Sequence, residues 1–266
     1  MARHKMTKGV CRLCSKDTDL SFEHVPPKVT NNKNTKYITL PLEEYYKTDN
    51  ILDATLKGKK KQGGIGYNSF CRKCNSFLGT NYVPSYEKWV QAGYQLQTNS
   101  ETAYIKYQIT KIEPLKILKH IISMFLAIND NWYLESYPEL AEFVSDVNST
   151  TLPKNFRVFT YLNKDGNIRY IQHQTVGDFS SGHIINCSEI TFPPYGYVLI
   201  LDYSNQNIEK LTDITEFKNI GNNENLSINI EIHQLPTHIN IPLDYRTKEE
   251  IKIAIEKGSK KRNEEL

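Results

Sequence analysis

The residues best equipped for chemistry lie in the first third of this 266-residue chain. Four of its five cysteines stand in two pairs with two residues between partners, Cys11/Cys14 and Cys71/Cys74. A turn of that length aims both sulfurs of a pair at one ion. Thiolates are soft ligands that suit Zn²⁺, which takes four of them in a tetrahedron. Two such pairs at a distance therefore predict a closed structural zinc site. The rival, a thioredoxin-like redox pair, lacks a strand-then-helix context here and does not account for two copies. Cys187 stands alone before a predicted strand and reads as a small buried apolar residue.

Between the two pairs lies Glu23-His24-Val25-Pro26-Pro27, and directly after the last cysteine stands Asn75. Hydrolysing a phosphodiester needs a base for water, a cation against the phosphate and donors for the departing oxygen. Histidine suits the first task because its pKa lies near neutrality. The Glu23 carboxylate and Asn75 amide are hard oxygen donors, the kind that Mg²⁺ or Mn²⁺ takes while keeping several waters. A zinc clip would carry residues 23–24 up to residue 75. Neighbours on a regular strand point to opposite faces, so gathering Glu23 and His24 requires a twist or bend there.

The charge is uneven in the same direction. Residues 1–80 hold 15 Lys or Arg against 7 Asp or Glu, whereas the remaining residues hold 18 against 23. A basic block joined to a mildly acidic one fits a nucleic-acid partner for the first. Lys28, Lys33, Lys57, Lys59, Lys60, Lys61, Arg72 and Lys73 are the expected phosphate contacts; the bland alternative for Lys57–Lys61 is a solvated loop. The longest apolar segment, from Ile117 to Ile128, is broken by Lys119, His120 and Ser123 and is too short to span a bilayer. No apolar run follows the basic start Met1-Ala2-Arg3-His4-Lys5, so the expectation is a cytoplasmic chain with no membrane partner.

Cys11-x-x-Cys14, Glu23-His24-Val-Pro-Pro27 and Cys71-x-x-Cys74-Asn75 together resemble the zinc-containing branch of the His-Asn-His (HNH) endonucleases, which share the ββα-metal fold. The resemblance covers about 80 residues. It implies a structural zinc on the four cysteines, a catalytic divalent ion on Glu23 and Asn75, and His24 as general base. It also implies a substrate that is double-stranded DNA in preference to RNA. The family's middle asparagine orients the base from a strand position four or five residues before the second cysteine pair; the nearby counterpart here is Asn68, three residues before Cys71. A lysine common after the last motif residue is replaced by Phe77-Leu78-Gly79, and the insert over residues 28–66 is longer than usual. Two other readings stay open: a zinc module that binds nucleic acid without cutting, and a protein-interaction chain that uses zinc only as a staple. Double-strand cutting with one centre per chain would call for a homodimer.

These motifs need elements to position them. Asp17–Leu20 reads as a turn, and Leu20-Ser-Phe-Glu-His24 as a short strand stopped by Pro26-Pro27. Residues 28–66 read as an insert with at most short elements. A helix after Cys74 should weaken or end at Gly79. The expected division is a zinc-binding nuclease module over 1–82 and a larger domain over 83–266, the latter also offering a surface for a protein partner. In that larger part, Pro114 looks like the first residue of a helix over 115–129 with a broad apolar stripe, and a second helix starts at Pro138. Phe156–Leu162, a Lys-Asp-Gly-Asn turn and Ile168–Ile171 read as a hairpin. Strands over 189–192 and 197–201 flank a tight Pro-Pro connection, and 226–235 alternates as a further strand. A charged helix over 246–257 should stop at Gly258 before a frayed tail. The fold class is α+β: a zinc-stapled ββα-metal module, then helices with an antiparallel sheet.

Overall fold

The computed structural model describes residues 6–39, 47, 52, 58–99, 102–178, 183–205, 208–221 and 226–264. The chain is mixed α+β, with helices and several antiparallel sheets. Strands β1 (Thr7–Val10), β2 (Asp17–His24) and β5 (Gly66–Cys71) form a three-stranded sheet in the order β1-β2-β5, and helix α1 (Arg72–Asn81) leaves β5 at once. Asp17 to Leu20 is strand and not turn, because β1 supplies its ladder from Thr7↔Leu20 to Val10↔Asp17. The insert after β2 carries two short 3₁₀ turns and a small ribbon of β3 (Tyr37–Thr39) with β4 (Lys59–Lys61).

Helix α1 passes Gly79, where the backbone is open to solvent and glycine costs only its extra chain entropy. Helix α2 (Val83–Asn99) follows, then β6 (Tyr104–Ile112) and α3 (Pro114–Ile128). Every α3 residue except Lys116 is buried, Lys119, His120 and Ser123 included, so the helix has protein around nearly its whole circumference. Pro114 opens it, where a missing N–H costs nothing. Two short helices follow, α4 (Asn131–Ser136) and α5 (Pro138–Ser145). Lys119 is buried in α3 yet caps α5, donating from Nζ to the carbonyls of Phe143 and Asp146.

The largest sheet contains β7 (Arg157–Leu162), β8 (Arg169–Asp178), β9 (His183–Phe192), β10 (Tyr195–Ile200) and β11 (Thr212–Asp213), in the order β11-β7-β10-β9-β8. β9 and β10 join across Pro193-Pro194 as the sequence suggests, with Phe192 opposite Tyr195. The expected hairpin of β7 with β8 does not form. From Val158 onward β7 is buried, and it takes β10 on one side and β11 on the other. The turn residues after it bond instead to the stretch after strand β12 (Leu226–His233): Asn167 N–H donates to Thr237 O at 2.7 Å and Thr237 N–H to Asp165 O at 3.0 Å. β12 pairs with β6, placing Ile228 opposite Ile109 and Ile232 opposite Ile105.

β10 has protein on both faces. Tyr195, Tyr197 and Leu199 join the main core, while Val198 and Ile200 join a smaller cluster with Phe159, Tyr161 and Cys187. The main core is continuous from Cys11 and Phe70 through α3 to Ile232. A terminal helix α6 (Lys248–Glu264) runs beyond Gly258, so the tail that sequence assigns to residues 259–264 is helical. Among the described residues no helix is long and apolar enough to cross a membrane.

His120, on α3, is buried with neither ring nitrogen hydrogen-bonded and its ring 4.6 Å from that of Tyr86. Burial pushes its pKa down to about 3 from 6.5. The unfolded chain therefore takes up this proton first as pH falls below 6.5, and stability should decline from there toward pH 3. The loss can reach about 1.4 kcal/mol per pH unit from this one group. Urea melts at pH 7.5 and pH 5 should show that decline, and His120→Leu should flatten it; an equal decline in the variant would place its cause elsewhere.

Candidate metal centre and active site

The hairpin turn between β1 and β2 carries Cys11 and Cys14, while Cys71 ends β5 and Cys74 lies in the first turn of α1. All four sulfurs fall within 4.8 Å of one another, and Cys14 and Cys71 are 4.0 Å apart. A tetrahedral Zn²⁺ with bonds of ~2.3 Å sets its sulfurs about 3.8 Å apart, so the cluster fits a metal ion such as zinc. Backbone N–H groups already serve the sulfurs: Cys71 N–H donates to Cys11 Sγ at 3.2 Å and Cys74 N–H to Cys71 Sγ at 3.5 Å. Burial raises the Cys11 and Cys74 thiols. Burial also opposes the Cys71 thiolate, but the Cys74 N–H and the neighbouring thiols outweigh it and bring that pKa down to about 7. A bound dication is what would let all four ionise together.

His24 is the last residue of β2. Its Nε2–H donates to Gly63 O at 3.1 Å, so in the neutral ring Nδ1 is the basic nitrogen. Its ring stands edge-on to Phe22, with centroids 5.1 Å apart. Gly64, with φ at +92°, makes this packing feasible: a Cβ there would lie 2.1 Å from Asn32 O and 2.7 Å from His24 Cδ2. Asn32 clamps the surroundings. Its buried Nδ2 donates to Pro26 O at 2.7 Å and Ile65 O at 2.8 Å, and its Oδ1 accepts from Ile65 N–H at 2.8 Å. The chain after His24 is thereby tied to the chain entering β5.

Asn75, on the inner side of α1, donates from Nδ2 to Ser21 Oγ at 3.1 Å and to Phe22 O at 3.3 Å. These bonds fix the direction of its amide oxygen. Both acceptors lie on β2 just before Glu23 and His24, so Asn75 is anchored beside the strand segment that carries that pair. Desolvation raises the Glu23 pKa well above its ordinary value, and the Arg12 cation offsets part of that rise. Arg12 donates to the carbonyl of Ala127 and to Ser69 Oγ, and approaches Asp130 at 3.8 Å.

Asn68 owes its place to a bulge. Ser21 pairs with Phe70 but Phe22 pairs with Asn68, leaving Ser69 as the extra residue on β5. Regular pairing would put Asn68 opposite Glu23; the bulge moves it to the face of Phe22 and His24. It sits two cross-strand pairs from Gly66, the partner of His24. Of the expected phosphate contacts, Lys28, Lys33, Lys59, Lys60, Lys61, Arg72 and Lys73 are exposed, and Lys57 lies outside the described residues.

Sequence reasoning does not reach Arg12, Asn32, Gly63, Gly64 or Tyr170. Tyr170, on β8, donates its hydroxyl to Val25 O, the carbonyl directly after His24. The Gly63-Gly64 pair is a readable signal for a backbone with positive φ, but its target is not. No protein-family model, curated protein or solved structure matches the chain.

The contrast between two glycines is testable. Gly64→Ala should cost about 1–3 kcal/mol through strain at positive φ and displace the His24 ring. Gly79→Ala, with nothing within 4 Å of the added Cβ, should stabilise by roughly 0.5–1 kcal/mol. Denaturant melts should separate the two, and equal effects would contradict the packing assigned to Gly64.

Proposed function

We propose that this chain is a metal-dependent endonuclease of the zinc-containing His-Asn-His type, hydrolysing phosphodiester bonds in DNA. One observation carries the reading. The four-cysteine cluster fastens a β-hairpin to a strand-helix unit so that helix-borne Asn75 bonds to Phe22, two residues from a histidine whose tautomer a backbone carbonyl sets.

In this reading zinc occupies the four thiolates and stabilises the fold. Glu23 and Asn75 would hold the second metal, Mg²⁺ or Mn²⁺. Desolvation raises the Glu23 pKa, and a cation bound there would offset that cost and keep the carboxylate ionised. When bound, that ion would supply the positive charge that phosphodiester hydrolysis needs. His24 takes a proton from water at Nδ1 as the water oxygen bonds to phosphorus. The P–O ester bond breaks, and the departing alkoxide takes its proton from solvent. Asn68 steadies the imidazole from the same face of the sheet. The exposed lysines, with Arg72 and Lys73 on the first turn of α1, hold neighbouring phosphates.

Plasmid cleavage as a function of Mg²⁺ and Mn²⁺ concentration tests the assignment. His24→Ala should lose about 10²–10⁴-fold in rate, keep its zinc, and gain nothing from added metal. Asn75→Ala and Glu23→Gln should recover in part as metal is raised. Asn68→Ala should slow turnover with no change in metal dependence. Full activity in His24→Ala, or no metal-dependent cleavage by the zinc-loaded protein, would overturn the proposal in favour of a zinc module that binds without cutting.

A further inference from the structure

The β3–β4 ribbon springs from the loop that holds His24. Gly64 N–H donates to Thr35 O at 3.2 Å and closes its base, and Gly63, just after β4, supplies the carbonyl that receives the His24 ring N–H. The ribbon pairs Tyr37 with Lys61, Ile38 with Lys60 and Thr39 with Lys59. Residues 28–39 and 58–64 contain Lys28, Lys33, Lys36, Lys59, Lys60 and Lys61 and no acidic residue. All six lysines are exposed, and Ile38 is 51% exposed on the face it shares with Lys60.

A solvated basic loop needs no strand pairing and no apolar side chain at its surface. An isolated two-stranded ribbon is marginal in water and gains stability when a partner covers it. Its dimensions and charge select that partner. Paired strands lie about 4.8 Å apart, so with side chains the ribbon is roughly 10 Å across. The major groove of B-form DNA, about 12 Å wide and 8.5 Å deep, admits a two-stranded ribbon. The major groove of A-form RNA is too narrow for side chains to read.

We propose that β3–β4 is a duplex-docking ribbon that lies in the major groove of B-form DNA. Ile38 and Lys60 share the face toward the duplex, where Ile38 meets the base edges and Lys60 a phosphate. Lys59 and Lys61, on the other face, reach phosphates along the groove walls. Its rooting beside His24 brings the adjacent backbone to the cutting site, and this last element rests on the nuclease reading; the docking does not.

Binding is measured by fluorescence anisotropy against salt, using full-length zinc-loaded protein carrying His24→Ala so that no probe is cut. The probes are a short labelled duplex DNA, the matching single strand and the matching RNA duplex. Converting Lys59, Lys60 and Lys61 to Gln should lower the duplex-DNA slope of log affinity against log salt by up to about 0.9 for each phosphate no longer neutralised. Ile38→Asp should weaken duplex DNA about tenfold or more and change the other two probes much less. An unchanged slope, an equal loss on all three probes, or no binding of duplex DNA by the parent protein would overturn the proposal, the last outcome leaving an acidic protein surface as the ribbon's partner. If the wild-type chain shows these ribbon effects but cuts no plasmid, the nuclease reading fails and the docking ribbon stands.

Discussion

The arrangement of the first third of the chain depends on one constraint, the meeting of four thiols that belong to two distant turns. Cys14 and Cys71 are separated by 57 positions in sequence and 4.0 Å in space. Without a bond across that gap, the β1–β2 hairpin and the β5–α1 unit would be joined mainly by a bulged ladder. A metal ion such as zinc bound by the four cysteines would contribute folding free energy directly. Such a clip would also accommodate the long insert after Pro27. Each doubling of a closed loop costs only about 0.6 kcal/mol more in entropy, so the insert can lengthen while both ends stay anchored.

A second set of contacts presses the rest of the molecule onto this unit. The C-terminal end of α3 exposes carbonyls that its own turn cannot satisfy. Ala127 O accepts from Arg12 and, at 2.7 Å, from Ser69 Oγ, while Ile128 O accepts from Gln172 Nε2 at 2.7 Å. Arg12 thus links a helix end in the main core to the field around Glu23. Tyr170 does the same for the chain after His24 through the Val25 carbonyl. The Tyr170 side chain of β8 and the C-terminal carbonyls of α3 thereby border the candidate site, although their own chemistry is ordinary.

What can be read from sequence is whatever lies within a few residues. The cysteine pairs, Glu23-His24, Asn75, Pro114 and the apolar stripe of α3 are local patterns with one dominant physical meaning each. The errors also come from local signals. The Lys-Asp-Gly-Asn turn after β7 invites a hairpin, but burial of β7 on both sides demands β10 and β11 as neighbours. Gly79 and Gly258 look like helix ends, yet both lie within helices. The bulge at Ser69 is invisible because it is a property of the β2–β5 pair and not of either strand. Asn32, Arg12 and Tyr170 act across gaps of 33 residues or more, at Ile65, Ala127 and Val25. No window of sequence contains both partners.

The central claim is that the four thiols build the scaffold for a second, oxygen-liganded metal site. Metal analysis joined to a Mn²⁺ titration followed by electron paramagnetic resonance tests it directly. The wild-type chain should retain about one zinc and bind one further Mn²⁺ more weakly, as structural and catalytic sites do. Asn75→Ala should keep the zinc and lose the Mn²⁺, whereas Cys74→Ser should lose both. Mn²⁺ binding that ignores Asn75→Ala, or a protein holding well under one zinc in its folded state, would contradict the account.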